Sequence, residues 1–236
     1  MKKIYDHLYV RVILVIKRLG IRFLPKGTNY HQFVILCTAR TGSTWLHTLL
    51  NSHLHIHSQG EIVRSNHENQ KLPFQKFAFG PYPRFIHAVG LKVFYDATIY
   101  QEALRYVVAN KQVKVILLTR KSAIDQFVSY KKALDSDLWS YSASQGNAKL
   151  KVDPAEFTTF QLTIKKSTDE VKSQLKDHVV FSLNYEELLT NQDSILEELQ
   201  SFLSAPHRKL RSLLKRQSTV PIGEQIENWE EIKNQL

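Results

Sequence analysis

The segment Ala39-Arg40-Thr41-Gly42-Ser43-Thr44 places one fixed cation, one glycine and three hydroxyls between an apolar run and a helical pattern opening at Trp45. Such a turn aims backbone N–H groups and the positive end of a helix at one point, where phosphate-type anions bind. Gly42 lets the backbone approach closely, and Arg40 adds a planar fork of donors. A plain tight turn with a Ser/Thr helix cap is the simpler alternative. The loop is not a Walker A sequence, because the Gly-Lys-Ser/Thr ending is absent. A second cation, Arg120, follows the run "VKVILLT", with Ser129 nine residues on; this pair suits another anion, although an arginine after a strand is commonly a surface charge. Glu61, after Gly60 in "HSQGEIV", is a carboxylate able to accept a proton or to sit solvated in a loop. His53, His55 and His57 alternate, but no nearby acid or thiol completes a metal set, so no metal is expected.

These residues need elements to hold them. "QFVILCT" (32–38), 88–95, 113–119 and 178–185 read as strands, the first and third as runs buried on both faces. Helical patterns occupy 44–53, 98–110, 122–137 and 155–175, and helices continue to about residue 215. Residues 58–84 read as irregular, and 135–154 as a polar, serine-rich lid. Alternating strands and helices predict an α/β fold with a central parallel sheet covered on both faces, whose ligands lie beyond the carboxyl ends of the strands. Residues 38–45, 119–129 and 185–186 all fall at those ends.

The chain has 236 residues, 43% of them hydrophobic and 23% charged, so one domain spanning 1–236 is expected. Its net charge of +10, from 32 Lys and Arg against 22 Asp and Glu, calls for an anionic partner: a nucleotide, a nucleic acid or a membrane surface. Cys37 is the single cysteine, which fits a reducing, cytoplasmic setting. Residues 1–29 carry a basic amphipathic pattern too interrupted by charge to span a membrane. The expectation is a helix packed on its own domain, with rest on a membrane surface as the alternative.

Together the motifs resemble sulfotransferases. "RTGSTWLHTLL" resembles their 5′-phosphosulfate-binding loop, and "LLTRKSAIDQFVSY" their 3′-phosphate-binding segment. "HSQGEIV", "FSLNYEELLTN" and "RQSTVPIGEQIENWEE" are similar to the bacterial branch that includes trehalose and nodulation-factor sulfotransferases. The resemblance covers roughly residues 30–232. It implies a P-loop-like three-layer α/β/α fold and transfer of a sulfuryl group from 3′-phosphoadenosine-5′-phosphosulfate (PAPS) to a hydroxyl or amine, without a metal and without nucleic acid. The acceptor could be a carbohydrate, a glycolipid or a small molecule. It further implies that Arg40 stabilises the leaving oxygen and that Thr41, Gly42, Ser43, Thr44 and Trp45 hold the 5′-phosphate and sulfonate. Arg120 and Ser129 would hold the 3′-phosphate, and Tyr185 would stack on adenine or serve as a core tyrosine. Arg216 would close over the nucleotide or remain a solvated charge. Glu61 would be the base, with His57 and His67 as understudies. Arg40 stands where many members have lysine, and the spacing of nine from Arg120 puts Val128 where the cytosolic animal enzymes have serine. "KRQSTVPIGE" (215–224) fits their dimerisation pattern, which implies a homodimer. Two other readings stay open: a P-loop-like nucleotide kinase, and a nucleotide- or polyanion-binding module without catalysis.

Overall fold

The computed structural model describes residues 2–65, 74–136, 149–214 and 220–235. Helix α1 (Lys2–Phe23) leads into β1 (Lys26–Gly27) and β2 (His31–Cys37), then α2 (Ser43–Asn51) and β3 (Ile56–Ser58). Two short helices, α3 (Ile62–Ser65) and α4 (Phe74–Ala78), precede β4 (Tyr82–Pro83) and β5 (Ala88–Phe94). The chain continues through α5 (Gln101–Ala109), β6 (Lys114–Thr119), α6 (Ala123–Ser136) and α7 (Pro154–Gln174). It ends with β7 (Val180–Asn184), α8 (Tyr185–Thr190), α9 (Gln192–Phe202), α10 (Ile222–Gln225) and α11 (Trp229–Ile232).

The main sheet is parallel throughout, in the order β3-β5-β2-β6-β7. Alternation along its strands builds two cores. Val34, Leu36, Leu91, Val93 and Leu117 meet Ala103 and Val107 of α5 and Val171 of α7 on one face. Phe33, Ile35, Cys37, Ile116 and Leu118 meet Leu46 and Leu50 of α2 and Leu196 and Leu199 of α9 on the other. Both faces are therefore covered, which gives three layers, and the continuous apolar runs of β2 and β6 follow from burial on two sides. A third cluster joins Phe127 of α6 and Phe157 of α7 to Ile226 and Ile232 near the C-terminus.

The sheet has a strand the sequence reading did not contain. β3 is three residues long, too short for a visible alternation, and pairs with β5 at the sheet edge. Helix also stops at Phe202 rather than near 215; residues 203–214 form no regular element, and Pro206 lacks the N–H that a continuing helix would need. Residues 137–148, most of the expected lid, together with His67, Arg216 and the first half of the dimerisation pattern, lie outside the described residues.

α1 packs where the strands begin, not where they end. Val10, Ile13 and Lys17 are buried on one helical face. Lys17 Nζ, 2% exposed, donates to Asn51 O at 2.8 Å, Asn51 Oδ1 at 2.6 Å, His53 O at 3.3 Å and Ile56 O at 2.7 Å. It thus meets carbonyls at the C-terminal end of α2, where cations are favoured. Burial lowers its pKa to about 7.

Candidate active site

The β2–α2 connection is held in a conformation that few residues adopt. Arg40 and Gly42 both have left-handed backbones, with φ of 62° and 81°. Thr41 Oγ1 donates to Thr38 O at 3.0 Å, and Gln126 Nε2 of α6 donates to Thr38 Oγ1 and Ala39 O at 2.8 and 2.6 Å. Gly42 is the Ncap of α2 and brings no side chain to cap it. The first-turn N–H groups of Ser43, Thr44 and Trp45 therefore remain available to an outside acceptor. A Cβ at Gly42 would lie 2.5 Å from the Tyr185 ring, so the close approach also requires glycine.

Arg120 ties this loop to the end of β6. Its Nη1 donates to Arg40 O at 3.0 Å, and its guanidinium lies over the Tyr185 ring at 4.9 Å. Asp125 and Glu186 stand 3.7 and 3.9 Å from it. Both acids are fixed locally. Ser122 Oγ donates to Asp125 Oδ2 while the Asp125 N–H donates back to Ser122 Oγ, a reciprocal helix start for α6. Glu186 accepts from the Lys121 and Ser122 N–H groups at 2.9 and 3.2 Å. Arg40 Nε donates to Ser129 Oγ at 2.9 Å, so the two proposed anion-binding segments touch. Tyr185 also meets Trp45 edge-on at 6.1 Å.

On the other side of the loop lies Lys92 of β5, 2% exposed within an otherwise apolar strand. Its Nζ donates to Thr44 Oγ1 at 3.0 Å and pairs with Glu61 Oε1 at 2.7 Å. Gly60, at φ 72°, carries the chain past His47 into this contact. Asp96 lies just beyond β5 on the cavity wall, solvent-exposed, and partial desolvation by the surrounding protein raises its carboxyl pKa above the usual range.

One cavity of about 470 Å³ gathers these groups at the strand ends. Arg40, Gly42, Ser43, Thr44, Trp45, Glu61, Arg120, Ser129 and Tyr185 all line it. Thr41 does not; its hydroxyl is spent on Thr38. Val128 and Ser129 both reach the wall, but only Ser129 brings a polar atom. His57 does not: it sits in β3, and burial lowers its pKa to about 4. Lys92, Asp96 and Asp125 were not singled out in the sequence. The signal for Lys92 was present, since a lysine inside "AVGLKVFY" must find partners if that run is buried. Among the described residues, no three His, Cys, Asp or Glu side chains cluster as metal ligands would.

The arrangement gathers a helix N-terminus, three cations and a carboxylate paired with one of them around one cavity, which suits transfer of an anionic group to a nucleophile that must lose a proton. The model of the sulfotransferase domain matches residues 31–221. Nodulation protein H of Rhizobium tropici is 26% identical over 230 residues, covering 85% of this chain and 87% of that protein. A sulfotransferase from Alicyclobacillus acidocaldarius superposes with a TM-score of 0.52 at 15% identity, covering 78% of this chain and 85% of that one. The sulfotransferase domain of the curacin biosynthetic pathway gives 0.51 at 16%, covering 88% and 87%. The two structures share this three-layer fold, and the domain match spans most of the sequence: the chain belongs to the sulfotransferase family, enzymes that transfer a sulfuryl group.

Proposed function

We propose that the enzyme takes its sulfuryl group from PAPS and delivers it to a hydroxyl of a carbohydrate, glycolipid or small-molecule acceptor. The observation that carries this reading is the contact chain Thr44–Lys92–Glu61, which joins the helix N-terminus to a carboxylate across one cavity. PAPS supplies a sulfur already bonded to a phosphate oxygen able to leave. The acceptor oxygen bonds to sulfur, the sulfur–phosphate oxygen bond breaks, and the electron pair stays with the phosphate. The acceptor's proton passes to Glu61. Arg40 and Lys92 stand where negative charge builds on the departing oxygen and the sulfonate, and the N–H groups of Ser43, Thr44 and Trp45 hold the 5′-phosphate. Arg120 and Ser129 bind the 3′-phosphate, and Arg40 is the link between the two anion sites. Tyr185 aligns Arg120 and borders the adenine; Arg216 is a further nucleotide contact. Asp96, on the wall of the same cavity, is the second proton acceptor in reach.

Single-turnover transfer of labelled sulfate from saturating PAPS into a lipid and sugar extract, beside direct titration of 3′-phosphoadenosine-5′-phosphate, tests the reading. Glu61→Gln keeps the shape and is expected to lower turnover about 10²–10⁴-fold with nucleotide affinity nearly unchanged. Normal turnover in that variant with a collapse in Asp96→Asn would move the base to Asp96. Equal affinity of the wild type for ATP and for the 3′-phosphorylated nucleotide would remove the case for PAPS.

A further inference from the structure

The two faces of α1 do different work. The inner face is anchored by Val10, Ile13 and Lys17. The outer face exposes Leu8 (61%), Val12 (46%), Val15 (55%), Leu19 (52%) and Phe23 (70%). Their spacing of four, three, four and four residues lays them along one stripe of a helix. Arg11, Arg18 and Arg22, all exposed and spaced by seven and four, form a second stripe immediately beside it. The only acid of α1 is Asp6, and it is held by Arg211 Nε at 2.5 Å. The outer face therefore carries apolar side chains and positive charge with no carboxylate.

The apolar surface extends beyond the helix. A shallow hollow of about 470 Å³ is lined by Ile16, Leu19, Phe23, Leu24, Leu54 and Phe85. A protein surface seldom leaves an apolar strip this long uncovered without a partner for it. No described helix is long and apolar enough to cross a membrane, so α1 is not a spanning segment.

We propose that the outer face of α1 docks the enzyme flat on a bilayer surface that carries anionic lipid. The apolar stripe enters the boundary between headgroups and acyl chains, and Arg11, Arg18 and Arg22 meet lipid phosphates at its border. Charge complementarity selects this occupant. A second copy packed α1 against α1 would bring three arginines to an interface whose outer faces hold no acid. A bilayer supplies both the apolar layer and the anions. The inner face makes the docking rigid, because Lys17 bonds α1 to the end of α2.

The test needs neither donor nor acceptor, so its outcome is separate from that of the transfer reading. Full-length protein is sedimented with vesicles of phosphatidylcholine alone and of phosphatidylcholine with phosphatidylglycerol. Binding is expected on the anionic vesicles and should weaken as salt is added. The triple variant Arg11→Gln/Arg18→Gln/Arg22→Gln is expected to bind those vesicles about 100-fold more weakly. Val15→Glu/Leu19→Glu should abolish binding, with a melting temperature close to wild type because both positions are exposed. Failure of the folded wild type to bind anionic vesicles overturns the proposal. So does equal binding to both vesicle types that the arginine variant leaves unchanged. A dimer in solution that Val15→Glu/Leu19→Glu dissolves assigns the face to a second copy and overturns it too.

Discussion

Gly42 carries two demands that no other residue type meets together. Its backbone is left-handed, and the ring of Tyr185 occupies the place of a Cβ. Gly42→Ala must move Tyr185, and Tyr185 holds the guanidinium of Arg120 by face contact. The left-handed alanine alone costs about 1 kcal/mol, and displacing the ring adds to it. The expected outcome is a loss of 1–3 kcal/mol in stability together with weaker binding of the 3′-phosphorylated nucleotide, read by urea denaturation beside calorimetric titration. Full stability and affinity in Gly42→Ala would show that the ring moves freely, and would take Tyr185 out of the account of Arg120. Lys92 makes the complementary point. A buried ammonium in a parallel strand is costly unless its donors are satisfied, and here a hydroxyl and a carboxylate satisfy it.

Among the elements, α1 and α2 depend on each other through one side chain. Lys17 supplies the donors for Asn51 O, Asn51 Oδ1 and Ile56 O. Lys17→Met keeps the stem and leaves those acceptors unpaired in a buried place, which should destabilise the protein by about 1–3 kcal/mol. The loss should be concentrated in α1, so limited trypsin digestion at Arg11 and Arg18 is expected to accelerate before global unfolding. Unchanged protection would mean that Val10 and Ile13 alone hold the helix. The elements also show what a sequence can disclose. β2 and β6 were legible because double burial writes a continuous apolar run, and α6 was legible as the helical pattern that follows Arg120, although its Ser122–Asp125 cap was not. β3 was not legible, since its three residues draw their strand character from pairing with β5 rather than from their own pattern. Among site residues, Arg40, Glu61, Arg120 and Ser129 could be named from local motifs. Asp96 could not: it stands in an exposed turn, and only the fold brings the end of β5 beside the cavity. The inner face of α1 was equally hidden, because a lysine at its centre reads as solvent-facing until its carbonyl partners are known.

For the molecule as a whole, buried imidazoles should weaken the fold in acid; His47, His53 and His57 are shifted furthest, and burial also lowers the pKa of His31 and His87. Burial lowers the pKa of His47, His53 and His57 to about 4 in the folded protein, against 6.5 for an exposed histidine. Below pH 6.5 the unfolded chain therefore takes up protons that the folded chain refuses, so stability falls as pH drops from 6.5 towards 4. Above the range of the carboxylates, between about pH 6.5 and 5, the slope should approach up to 4 kcal/mol per pH unit if all three contribute fully. Urea midpoints measured across that interval check it, and His57→Leu should flatten the slope by about one proton. A slope already flat in the wild type would mean that the three rings protonate in place. The polarity of the sheet has a different consequence. α1 lies where the strands begin, and the cavity opens where they finish, so the molecule has a back and a front. Held by its back on a bilayer, it would turn its reacting end outward. It would then modify what stands off from the surface, such as the distal sugars of a long membrane-borne chain, rather than the headgroups beneath it. Fresh donor would enter and spent nucleotide would leave directly through bulk water.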